Sequence, residues 1–89
     1  MSTVVPWDFT DRAALREGCL TRIMALCDLD PWVNAAAHRL RDTLPVASDL
    51  PTEKWRELAE LAEHAQFYAE TGQLHLAQSM IAQMRGVLR

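Results

Sequence analysis

Apolar residues recur along this chain at intervals of three and four, the spacing that lays them on one face of an α-helix. Four stretches carry the pattern. From about Asp11 to Cys27, residues Leu15, Cys19, Leu20, Ile23, Met24, Leu26 and Cys27 share one broad face, with Glu17, Thr21 and Arg22 opposite. A stripe that wide predicts a helix packed against two neighbours. From Pro31 to about Leu44 the inward set is Trp32, Val33, Ala36, Ala37, Leu40 and Leu44, while Asn34, His38, Arg41 and Asp42 point away. A third stretch, about 53–71, turns Trp55, Leu58, Ala59, Leu61, Ala62, Ala65, Tyr68 and Ala69 inward. The fourth, about 73–88, does the same with Leu76, Ala77, Met80, Ile81, Met84, Val87 and Leu88.

The breaks between these stretches have their own chemistry. Asp30-Pro31 pairs a helix-capping carboxylate with a proline at the first helical position, where a missing N–H is harmless. Pro45 to Pro51 is the longest interruption, after which Thr52 is placed to cap the third helix and Glu53 to meet the helix dipole. Gly72 supplies the positive φ that a helix end commonly needs. Residues 1–9 form a lead-in with Pro6, Trp7 and Phe9, expected to fold onto a helix surface, with Asp8 or Thr10 capping the first helix. No stretch alternates with period two. The expected fold is all-α: a single helical domain over residues 1–89, arranged as a compact four-helix, mainly antiparallel bundle or a pair of helical hairpins.

Composition narrows the function classes. The chain has 89 residues, 49% apolar and 24% charged, with a net charge of −3. That balance is globular, and the negative sign argues against nucleic acid or an anionic membrane as partner. No run approaches the ~18–20 apolar residues of a membrane span. The first residues lack the basic and apolar regions of a signal peptide, so the expected location is cytoplasmic. Cys19 and Cys27, about 12 Å apart on one helix, are too distant for a disulfide and read as reduced, buried thiols.

Within residues 61–88, Leu61, Ala65, Tyr68, Gly72, Leu74 and Ala77 stand at spacings similar to those of a tetratricopeptide (TPR) helical hairpin. Ile81 and Met84 occupy positions where that repeat has a large and a small residue. Met84 departs from the pattern, the closing proline is absent, and no second copy lies one repeat length away. Any tight α-hairpin asks for similar small residues at its crossing. The resemblance implies a scaffold that binds a peptide or helix and carries no chemistry of its own.

Candidate chemistry is sparse. His38, His64 and His75 form no His-x-x-x-His or Glu-x-x-His pair that would set two ligands on one helical face. Glu53, Glu57, Glu60 and Glu63 make a stripe opposite the apolar face, where water prevents the pKa splitting that acid–base catalysis needs. Neither a phosphate-cradling glycine loop nor a nucleophile elbow is present. No catalytic residue, cofactor, metal or small-molecule substrate is expected. A small DNA-binding regulator is the competing class, with Asn34, His38, Arg39 and Arg41 of the second helix, and Lys54 and Arg56 beside four glutamates on the third, as its thin set of basic and amide groups. The favoured class is a non-enzymatic module (adaptor, secretion-chaperone-like or regulatory subunit) that binds another protein or forms a homodimer. The residues expected to make that contact are Phe67, an aromatic on a wet face, and Ser79, Ala82, Gln83 and Gly86, a nearly uncharged small-residue face of the fourth helix.

Overall fold

The computed structural model describes the backbone of residues 7–29 and 31–89, and side chains from residue 12 onward apart from Asp30. Among these residues lie four α-helices: α1 (Trp7–Leu29), α2 (Pro31–Thr43), α3 (Thr52–Glu70) and α4 (Leu74–Val87), with one 3-10 turn at Ala47–Asp49. The fold is an all-α four-helix bundle.

Hydrogen bonds between segments distant in sequence fix the helix directions. Arg12 bonds the Leu50 carbonyl at 3.5 Å, the Cys19 thiol approaches the Leu58 carbonyl at 3.9 Å, and Arg22 donates to Gln66 at 2.8 Å. Both numberings rise together, so α1 and α3 run parallel. Arg16 reaches the Pro45 carbonyl at 2.7 Å beyond the end of α2, while Asn34 at its start bonds the Cys27 carbonyl; α2 therefore returns antiparallel to α1. Gln78 donates to the Trp32 carbonyl at 3.1 Å, which aligns the starts of α2 and α4. The result is up-down-up-down. Each helix packs on two others, in the ring α1–α2–α4–α3, and the α2–α4 seam is the thinnest.

The core follows the helical period. Cys19, Ile23, Leu26, Val33, Ala37, Leu40, Trp55, Leu58, Ala62, Ala65, Ala77, Ile81 and Met84 are buried. Alanines at 62, 65, 69 and 77 let α3 and α4 approach closely. Trp55, the largest side chain in the core, donates its indole N–H to the Ala47 carbonyl at 2.8 Å. Burial and a satisfied polar tip together pin the 3-10 turn to α3. The α3–α4 turn is a Schellman motif: the Gln73 N–H bonds the Tyr68 carbonyl at 2.8 Å, the Gly72 N–H bonds Ala69, and Gly72 has φ +83°. Only glycine takes that backbone geometry without strain.

Several expectations need correction. Helix α1 begins at Trp7, so Asp8 and Thr10 lie inside it and do not cap it; the packing of residues 1–6 and the side chains of Trp7 and Phe9 lie outside the described residues, as does the cap at Asp30. Thr52 is the first residue of α3, and its preceding cap position is Pro51. Trp32, Met24 and Leu76, assigned to the inward faces, are 66%, 49% and 40% exposed. Each sits at the edge of its stripe, about 100° from a fully buried neighbour (Val33, Ile23, Ala77), and the ring offers no third helix to cover that edge. Asn34, assigned outward, is partly buried and turned back onto α1.

Candidate functional site

Two of the three misassigned apolar residues, Trp32 and Leu76, lie at one end of the bundle. There α1 stops at Leu29, α2 starts, α3 ends and α4 begins. Asn34 makes the α1–α2 corner possible: its side-chain amide donates to the Cys27 carbonyl, one of the acceptors that a helix C-terminus leaves open. With the corner closed so tightly, the first turn of α2 carries Trp32 to the outside. Across from it, the Schellman turn brings Leu74, His75 and Leu76 forward. Trp32, Gly72, Gln73, Leu74, His75 and Leu76 line an open cleft of about 470 Å³. Leu29, 43% exposed, ends α1 three residues before Trp32. Gln78 holds the Trp32 backbone through its carbonyl while the indole stays exposed.

The residues singled out from sequence are exposed, as their helical angles predict. Phe67 is 57% exposed and stacks edge-on against Tyr68, with ring centroids 5.7 Å apart. Ser79, Ala82, Gln83 and Gly86 share the outer face of α4. The structure does not gather all five into one patch. Phe67 lies toward the α1 flank of α3, one turn from Glu63, which pairs with Arg22 of α1 at 3.9 Å. The flank of α3 that borders α4 carries Leu61 and Tyr68. The small-residue face is also unshaped: a Cβ added at Gly86 would meet nothing within 4 Å. Sequence reasoning missed the Trp32 cleft because it placed Trp32 and Leu76 in the core. The usable signal was that a tryptophan at the first turn of a helix following a one-residue joint has little structure beyond it to pack on.

The remaining titratable groups build no reactive centre. Burial pushes the Cys19 thiol up to about 11 against the pull of Arg16. Cys27 is raised by burial too, with Arg41 opposing and Asp28 and Asp42 reinforcing. Raised thiols are poor nucleophiles near neutral pH. Glu53, Glu57, Glu60 and Glu63 are exposed, as are His64 and His75. Among the described residues no group of three His, Cys, Asp or Glu side chains is placed to hold a metal ion, and no helix is long and apolar enough to cross a membrane. Arg41 pairs with its neighbour Asp42 at 3.5 Å, and the Asn34 amide is engaged at the α1–α2 corner. Comparison with known proteins finds no matching family model, no matching curated protein and no matching solved structure.

Proposed function

We propose that the chain is a small non-enzymatic interaction module of the cytoplasm, an adaptor, secretion-chaperone-like or regulatory subunit that binds another protein at the Trp32 end of the bundle. The observation that carries this reading is the exposure of Trp32 at the rim of an apolar cleft. Tryptophan is the residue most enriched at the energetic centres of protein interfaces, and leaving its apolar surface in water costs free energy that a partner would recover. The cleft is open, whereas small-molecule sites enclose ~70–90% of their ligand; a side chain projecting from a larger partner suits it better. The TPR-like spacing of residues 61–88, of which Gly72 to Leu76 form the other wall, agrees with peptide binding.

The test is affinity capture from the native host, comparing the wild-type chain with Trp32→Ala, Phe67→Glu and Ala82→Arg. All three should melt within about 0.5 kcal/mol of wild type, as surface changes do. A partner retained by wild type, Phe67→Glu and Ala82→Arg but lost with Trp32→Ala supports the cleft. Loss with Phe67→Glu or Ala82→Arg alone transfers the site to the outer faces of α3 and α4.

A further inference from the structure

The charges of the chain are sorted along the bundle axis. Every Lys and Arg falls within residues 12–22, 39–56 or 85–89. In the up-down-up-down ring these segments are the first two-thirds of α1, the end of α2 through the start of α3, and the end of α4. All belong to the end away from the cleft or to the middle of the bundle, where Arg22 pairs with Glu63. Residues 23–38 and 57–84 contain no Lys or Arg. The fixed charges described in this half of the bundle are therefore acidic: exposed Asp28 lies in the last turn of α1, and exposed Glu70, whose carboxylate accepts from Gln66 at 3.2 Å, ends α3 two residues before Gly72. Exposed Glu60 continues the same sign along α3.

An apolar cleft in a half of the bundle whose described fixed charges are acidic selects its occupant by charge complementarity. Resting on the interaction reading above, we infer that the cleft takes a basic apolar segment of another protein: one large apolar side chain seated between Trp32 and the first turn of α4, with Lys or Arg on either side facing Asp28 and Glu70. An acidic segment would meet like charges in this half of the bundle. A second copy of this chain is the weaker occupant. Its basic end exposes one large apolar side chain among the described residues, Val46, which is short for a cleft of about 470 Å³. Such a head-to-tail contact also joins two different surfaces, so it would propagate as an open chain unless it closed into a ring.

Two labelled amphipathic helical peptides with the same leucine positions, one with Lys and the other with Glu at every polar position, test this by fluorescence anisotropy on the full chain. The Lys peptide should bind at least about tenfold more tightly than the Glu peptide. Trp32→Ala should weaken the Lys peptide by a similar factor, and the double variant Asp28→Asn, Glu70→Gln should narrow the gap between the two peptides while leaving the melt unchanged. Equal binding of both peptides with dependence on Trp32 overturns the charge inference and leaves the interaction reading standing. Lys-peptide binding that ignores Trp32→Ala is attraction to the acidic half alone and overturns the inference. Failure of both peptides to bind does the same. Sedimentation of the chain alone completes the test: self-association abolished by Trp32→Ala would make a second copy the occupant and also overturns it.

Discussion

Gly18 sits in the middle of α1, exposed, and a Cβ added there would meet nothing within 4 Å. Nothing in the packing asks for glycine at this position, while the backbone entropy it loses in a helix is the largest of any residue. Gly18→Ala should therefore stabilise the fold by about 0.5–1 kcal/mol, read from the midpoint of chemical denaturation. Gly72 is the opposite case: with φ at +83°, alanine there would be strained. Cys19 gives a second residue-level expectation. Its thiol is fully buried and its pKa is raised from about 9 to about 11, chiefly by burial. The folded state thus holds the proton more tightly than the unfolded state. Its contribution is fully present below pH 9 and is lost as pH rises from about 9 to about 11. At ~1.4 kcal/mol per unit, about 2–3 kcal/mol of stability should disappear across that window. Melts of wild type and Cys19→Ala between pH 8 and 11 isolate this loss from other alkaline titrations, because only the wild type should carry it. Parallel curves for the two proteins would show that the thiol does not contribute.

Among the elements, α2 has the least support. It is the shortest α-helix of the four and packs on α1 and, by the thinnest seam, on α4. Helices with few buried contacts open first. Amides of Ala37 and Leu40 should exchange with solvent at least about tenfold faster than those of Ala62 and Ala65 in α3, measured by native-state hydrogen exchange. Equal protection would mean that the bundle opens as one unit. This ranking could not be read from the sequence, although much else at this scale could. The period of three and four placed all four helices. It also placed the fully buried residues Ile23, Leu40, Trp55 and Ile81, because each lies at the centre of its stripe, where any packing arrangement buries it. Stripe edges behave differently. Met24, Trp32 and Leu76 are as apolar as their buried neighbours, and their burial depends on how many helices surround each one, which is a property of the ring. Asn34 was misread for a related reason. Its partner is a carbonyl of the preceding helix, and that contact exists only after the α1–α2 corner has closed.

At the scale of the whole molecule, the sorting of charge bears on the choice between the protein-binding and DNA-binding proposals. A DNA-binding domain needs a helix whose exposed end presents several basic or amide groups to one groove. Here the basic residues are spread over the ends of different helices and interleaved with acids. Arg16 lies 4.0 Å from Glu17, Arg41 lies 3.5 Å from Asp42, and Lys54 and Arg56 stand between Glu53 and Glu57. Any attraction of duplex DNA to this half would come from phosphate contacts alone. Such binding falls steeply with salt, because each neutralised phosphate releases counterions. The chain should therefore show at most weak binding to a random duplex in dilute buffer and none in ~0.15 M salt, where nonspecific constants run at ~10⁻⁴–10⁻⁶ M. Contact at the Trp32 cleft should weaken less over the same range, because its apolar part is not screened. Anisotropy titrations of a labelled duplex and of the leucine–lysine peptide, run side by side at rising salt, make the comparison. Sub-micromolar duplex binding that survives ~0.15 M salt would reverse the order of the two readings, and Asn34, His38, Arg39 and Arg41 would then be the first residues to substitute.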